Sequence, residues 1–260
     1  MNKAPLPTIP PKTFSEGVSI IIPAYNEEKY IGKVLKCLSL QADQHLIEII
    51  VVDNNSQDRT AEEVQNWKNC FKNFKLICET RQGISQARNR GARESKFEYL
   101  LFLDSDIFLP PDFLTKFRKK IRDTPNLICL VLHLPELFNI LDFLWVLWMF
   151  SFVTLVQKWD PLCCGSFMFV PKNLFEKVGG FNEKIVLGED VECGWRLTKA
   201  GGSYRIFWSP YVFASPRRLR QKGRFGLFLL WARGYFHMHL KGPIYATSHF
   251  YYPYGIHLGD

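Results

Sequence analysis

The chain alternates, and that alternation limits its fold more than any other feature. From Val18 to Asp123, apolar runs of strand length are separated by stretches whose apolar residues recur at helical spacing. "VSIIIP" (18–23), "IEIIVVD" (47–53), "FKLICE" (74–79) and "YLLFLD" (99–104) are short, rich in β-branched residues and aromatics, and read as buried strands. Between them, "KYIGKVLKCLSL" puts Ile31, Val34, Leu35 and Leu38 on one helical face. "DRTAEEVQNWKN" reads as a helix behind an Asp58 N-cap, and "ISQARNRGARES" as a shorter one. "PDFLTKFRKKIRD" opens near Pro111 as a fourth helix. Strands that each lead into a helix form βαβ units around a parallel sheet. The expected fold class is α/β: a Rossmann-like, mostly parallel sheet flanked by helices.

Beyond about residue 125 the rhythm changes. "NLICLVLHL", "GSFMFVP" and "SYRIFWSP" read as further strands, and a helix is expected from Asp190 to the Gly201–Gly202 pair. No repeat or low-complexity linker divides the chain, so its 260 residues are expected to form a single compact domain. The expected layout is an extended leader over 1–16 and a domain over 17–215. Residues 17–124 would be its nucleotide-binding half and 125–215 its acceptor half, with a basic, aromatic C-terminal tail over 216–260. The opening "MNKAPLPTIPPKTF" carries four prolines and no apolar core of a signal peptide. Residues 143–157, "FLWVLWMFSFVTLVQ", lack charge. As a helix they would reach about 22 Å, short of the ~30 Å hydrocarbon layer, which suggests a core or interfacial helix rather than a span.

Composition bounds the partners. The formal charge of +8 favours anionic ligands or anionic surfaces. Seven cysteines, none spaced C-x-x-C, read as reduced thiols in a cytoplasmic setting. A nucleic-acid binder would explain the charge but not an acidic strand rim, so no nucleic acid is expected.

That rim is the informative part. In an open parallel sheet, ligands bind beyond the carboxyl ends of the strands. Asp53 ends the second strand, Asp104 ends the fourth with Asp106 just beyond, and "PAYNEE" follows the first. Paired carboxylates there suit a hard divalent cation, Mg2+ or Mn2+, whose shell is completed by water and substrate phosphate. No G-x-G-x-x-G or G-x-x-x-x-G-K-[ST] loop follows the first strand, so a glycine cradle for phosphate is not expected. A Mg2+-dependent phosphotransferase would place its Asp-x-Asp on the first strand. A nucleotidyltransferase would open on a glycine-rich basic loop. Both remain alternatives, as does an inactive sugar-nucleotide-binding relative.

The ordered set "VSIIIPAYNEE", "IIVVDNNSQDRT", "RQGISQARNRGA", "FLDSD", "GGFNE", "GEDVECGWRL" and "SPRR" resembles family 2 glycosyltransferases of the GT-A fold over about residues 17–218. The resemblance implies an inverting transfer from a UDP- or GDP-sugar to a glycan hydroxyl or lipid-linked phosphate, with a divalent cation. Pro23, Ala24, Tyr25 and Glu27 then look like the first donor loop and Asp53 like the base-reading aspartate. Arg81, Gly83 and Arg88 match the segment lining the nucleotide. Asp104 resembles the residue near ribose and metal, and Asp106 the direct metal ligand. Asp190 matches the catalytic base, with Glu189 the weaker choice. Trp195 and Arg196 serve either helix packing or the acceptor, and Arg217 and Arg218 would meet a diphosphate or lipid phosphate. The aromatic run and the cations after Ser215 imply peripheral contact with an anionic membrane, on its inner face.

Overall fold

The computed structural model describes residues 17–245 apart from 123, 125 and 138. The leader and the last part of the tail lie outside the described residues. Eight strands form one sheet in the order β3-β2-β1-β4-β7-β6-β8-β5. Strands β1 (Val18–Ala24), β2 (Ile47–Asp53), β3 (Phe74–Cys78) and β4 (Tyr99–Leu103) are all parallel. Their register sets Ala24 beside Asp53. Strand β7 (Phe167–Pro171) runs antiparallel to β4 and to β6 (Leu127–Pro135), whereas β8 (Ser203–Ala214) is parallel to β6. Two-residue β5 (Ile107–Phe108) closes the edge on β8.

Strands β1 and β2 are buried along their whole length, as near-continuous apolar runs covered on both faces should be. Side chains alternate between two cores. Ile20 and Ile22 pack with α1 (Ile31–Ser39) and α4 (Phe113–Ile121), while Ile21 packs with α3 (Ile84–Glu94), α6 (Lys172–Lys177) and α7 (Glu189–Lys199). In the first core, Phe117 meets Phe167 and Phe169 edge to face, at 5.7 and 5.3 Å between centroids. Part of the chain's complement of 22 phenylalanines lies in this cluster. Helix α2 (Thr60–Asn66) follows β2, with Asp58 Oδ1 accepting from the Thr60 amide at 2.9 Å.

The aromatic run forms α5 (Ile140–Val156), capped by Asn139 and packed on β6 through Val146, Leu147, Phe150 and Val153. Helix α8 (Arg217–Lys241) carries a kink at Gly223, where φ is 68° and ψ 167°. No helix among the described residues is long and apolar enough to cross a membrane. All seven cysteines are free.

Candidate active site

Because β1, β2 and β4 run in parallel, their carboxyl ends share one rim. The loops after β1 and β2 are tied together there. The Glu27 amide donates to Thr60 Oγ1 at 2.7 Å, and the Gln57 amide to Asn26 Oδ1 at 2.8 Å. Asn54, which the sequence reading passed over, is fully buried. It donates to the carbonyls of Glu79 and Arg81 and accepts from the Gly83 amide, so it fixes the 79–83 segment to the end of β2. Pro23 and Ala24 are buried members of β1 itself, whereas Tyr25, half-buried, begins the loop. Asp53 is turned into its own loop, accepting from the Ser56 amide at 3.3 Å.

Two arginines organise the carboxylates. Arg88 lies on α3 with only 2% of its side chain exposed. One terminal nitrogen donates to Asp104 Oδ1 and the other to Glu189 Oε1, both at 2.9 Å. Burial opposes its charge, but the Asp104, Glu189 and Asp190 carboxylates outweigh burial and hold the guanidinium protonated. Both terminal nitrogens of Arg88 are thus engaged by protein carboxylates.

Arg217, the first residue of α8, does the same at the mouth. It grips Glu27 through both terminal nitrogens and reaches Asp106 Oδ2, each at 3.0 Å. Its guanidinium also lies over the Tyr30 ring, 4.9 Å from the centroid. Burial raises the Asp104 pKa, but Arg88, Arg218 and Arg217 together draw it below the ordinary carboxylate value. Arg218 is thus close enough to act on the rim electrostatically.

The Asp190 side chain is held by backbone. Its Oδ2 accepts from the Gly165 amide at 2.7 Å and Oδ1 from the Val191 amide at 2.8 Å. The next residue, Ser166, accepts at its carbonyl from the Asp104 amide at 3.1 Å. One short turn before β7 therefore joins the Asp104 strand end to the α7 aspartate. Glu189 is buried beside Asp190. Burial, then the Asp190 charge, pushes its pKa up to about 7 against the pull of Arg88.

The same turn brings in residues that no sequence signal marked. Ser166 Oγ lies 3.1 Å from His133 Nε2 and 2.9 Å from Cys164 Sγ. His133 Nδ1 faces the Val131 carbonyl at 2.8 Å, which assigns its proton to Nδ1 and leaves Nε2 to accept. Burial lowers the His133 pKa. His133 reads in the sequence as an ordinary strand residue, and only pairing with the β7 side exposes its role.

Three of the expected contacts are engaged elsewhere. Arg81 pairs with Glu79 and with Glu183. Trp195 donates to Asp160 Oδ1 at 2.7 Å and packs edge to face on His239, and Arg196 makes a two-pronged pair with Glu192 and donates to the Val178 carbonyl.

The donor set suits a divalent cation in part. Oδ2 of Asp104 and Oδ1 of Asp106 take no hydrogen bond among the described residues. No cluster of three or more His, Cys, Asp or Glu side chains that could hold a metal is found among those residues. Two carboxylate oxygens suit Mg2+ or Mn2+ only where substrate phosphate and water fill the remaining positions.

Solved structures share this fold. A mannosyltransferase from Pyrobaculum calidifontis, determined with GDP-Man and Mn2+, superposes with a TM-score of 0.64 at 22% identity, covering 85% of this chain and 66% of that one. Staphylococcus aureus TarS 1-349, determined with UDP-GlcNAc, gives 0.62 at 20% identity over 76% of this chain and 58% of the other. In sequence, the poly-beta-1,6-N-acetyl-D-glucosamine synthase of Staphylococcus epidermidis is 25% identical over 193 residues, 70% of this chain and 46% of its own. The chain spans about a third of the length of several curated glycosyltransferase relatives it matches. Residues 19–179 match glycosyl transferase family 2, and the chain belongs to that family of transferases.

Proposed function

We propose that the chain moves a sugar, with inversion at the anomeric carbon, from a UDP- or GDP-sugar to a hydroxyl or lipid-phosphate oxygen. The observation that carries this reading is the joining of two acidic pairs. Asp104 and Asp106 at one strand end meet Glu189 and Asp190 at one helix start, through the Arg88 bridge and the Gly165–Ser166 turn. The first pair would hold Mg2+ or Mn2+ against the donor diphosphate. When bound, the cation supplies charge neutralisation to the leaving diphosphate. The neighbours determined with GDP-Man and with UDP-GlcNAc support a nucleoside diphosphate donor of either base.

Asp190 is the base. It takes the acceptor proton while the acceptor oxygen bonds to the anomeric carbon and the bond to the diphosphate breaks on the opposite face. Two backbone amides fix its carboxylate, one of them at the start of α7, where the helix dipole favours an anion. In this reading Asp53, at the end of β2, accepts from a base N–H, and Arg217 and Arg218 offset the charge of the departing diphosphate. Work at the cytoplasmic face of a membrane is part of this reading.

The test separates binding from turnover. Asp190→Asn should bind UDP or GDP with Mn2+ as the parent does in calorimetry, while kcat falls about 10²-fold or more. Near-parental turnover would move the base to Glu189.

A further inference from the structure

Helix α5 turns its apolar side outward. Leu141, Leu144, Trp148, Phe152 and Leu155 recur every three or four residues on one face, and all are exposed, as is Trp159 just beyond. A surface helix ordinarily presents polar residues there. The kinked helix α8 lies alongside, with Trp231 against Trp145 at 5.7 Å and Phe228 against Trp148 at 5.7 Å. Its own Phe225, Leu229, Phe236 and Leu240 are exposed at spacings that keep them on one side. Both outward stripes are apolar on a chain whose α4 and α7 follow the usual rule.

The charges identify the occupant. Helix α8 contains Arg217, Arg218, Arg220, Lys222, Arg224, Arg233 and Lys241 and no acidic residue. The only acid of α5, Asp142, is paired with Arg224. Arg218, Arg220, Lys222, Arg233 and Lys241 are exposed beside the apolar stripes. Protein interfaces also favour aromatics and arginine, but they are depleted in lysine, which this face carries at Lys222 and Lys241. Exposed tryptophan, phenylalanine and leucine flanked by cations of one sign suit the headgroup boundary of an anionic bilayer. At 17 residues α5 is about 25 Å long, suited to lying in that boundary rather than crossing it.

We infer that α5 and α8 together form a docking face for an anionic lipid bilayer, and that the transferase takes its acceptor from that surface. The second clause rests on the function proposed above. Position supports it: Phe225, the first exposed aromatic of α8, lies only eight residues after Arg217, which holds Glu27 and Asp106. A lipid-borne acceptor would reach the rim without leaving the bilayer plane.

Two measurements on the full chain test the inference separately from the reaction. In co-sedimentation with phosphatidylglycerol–phosphatidylcholine vesicles, the protein should pellet at low salt and at least tenfold less with phosphatidylcholine alone. Trp148→Glu with Phe225→Glu should cut pelleting at least tenfold, while calorimetric affinity for UDP or GDP with Mn2+ stays unchanged. Pelleting indifferent to both substitutions would overturn the docking face. So would absence of pelleting together with a dimer in solution that the same substitutions disperse, because the face would then join two copies. Resistance to alkaline carbonate would overturn the surface mode in favour of insertion. Vesicle binding without nucleotide binding would leave the face standing and remove the proposed reaction.

Discussion

Arg88 shows how much one buried side chain can decide. Its terminal nitrogens lock Asp104 and Glu189 in place, and both carboxylates are nearly buried. Replacing it with methionine leaves two acids unpaired and should cost about 3–5 kcal/mol, read as a lower denaturation midpoint. Gly165 is tied to the same group: a Cβ there would sit 2.5 Å from Arg88 Cζ. The guanidinium cannot swing away without breaking both ion pairs, so Gly165→Ala should lose most transferase activity with a smaller fall in stability. Glu189 adds a pH signature. Its folded pKa is about 7 against an ordinary 4.5, so the folded chain holds the extra proton between those values. Its stabilising contribution is present below about pH 4.5 and is lost as pH rises through 7. Thermal melts should show the parent falling relative to Glu189→Gln as pH rises across that window. Such residues are unevenly legible in a sequence. Asp104, Asp106 and Asp190 stand out because acids end apolar runs or begin a helix. Arg88 is set apart from its helix neighbours only by the family resemblance, and only the fold shows that it is buried.

Among the elements, α8 departs furthest from what its sequence suggests. Glycines at 223, 226 and 234 and a run of cations read as loop and tail, yet residues 217–241 form a kinked helix. Packing overrides propensity here: Leu227 and Met238 are buried, and Trp195 and His239 meet across the contact with α7. The helix is also anchored at its start. Arg217→Ala would leave Glu27 and Asp106 facing each other with 8% and 10% of their side chains exposed. A loss of about 3 kcal/mol is expected in chemical denaturation. Mn2+ should restore more stability to Arg217→Ala than to the parent, because the freed Asp106 oxygen then becomes available to a cation. Equal effects of Mn2+ on both proteins would place the cation away from Asp106. By contrast, β1 to β4 were legible to within a residue or so, because each is a buried apolar run bounded by polar loops. Strand β8 was read to Pro210 but continues to Ala214 through a cis Ser209–Pro210 bond, and two-residue β5 carries no pattern at all.

At the scale of the whole molecule, the expected α/β sheet is present, with β7 set antiparallel between β4 and β6. Nothing in the spacing of "GSFMFVP" announces its direction, since parallel and antiparallel buried strands carry the same apolar pattern. That reversal is what puts Gly165 and Ser166 between the Asp104 strand end and α7. The chain is basic overall, yet the carboxylates of Glu27, Asp104, Asp106, Glu189 and Asp190 outnumber Arg88, Arg217 and Arg218, the arginines that act on them. The surface field and the pocket field therefore have opposite signs. An anionic donor is drawn towards the body by the first and turned back at the threshold by the second, unless it arrives already complexed with a cation. Order of addition follows from this charge inversion. Rapid mixing should show a nucleotide on-rate that rises with divalent cation at fixed ionic strength, with the nucleotide–cation complex rather than the free nucleotide as the species that enters.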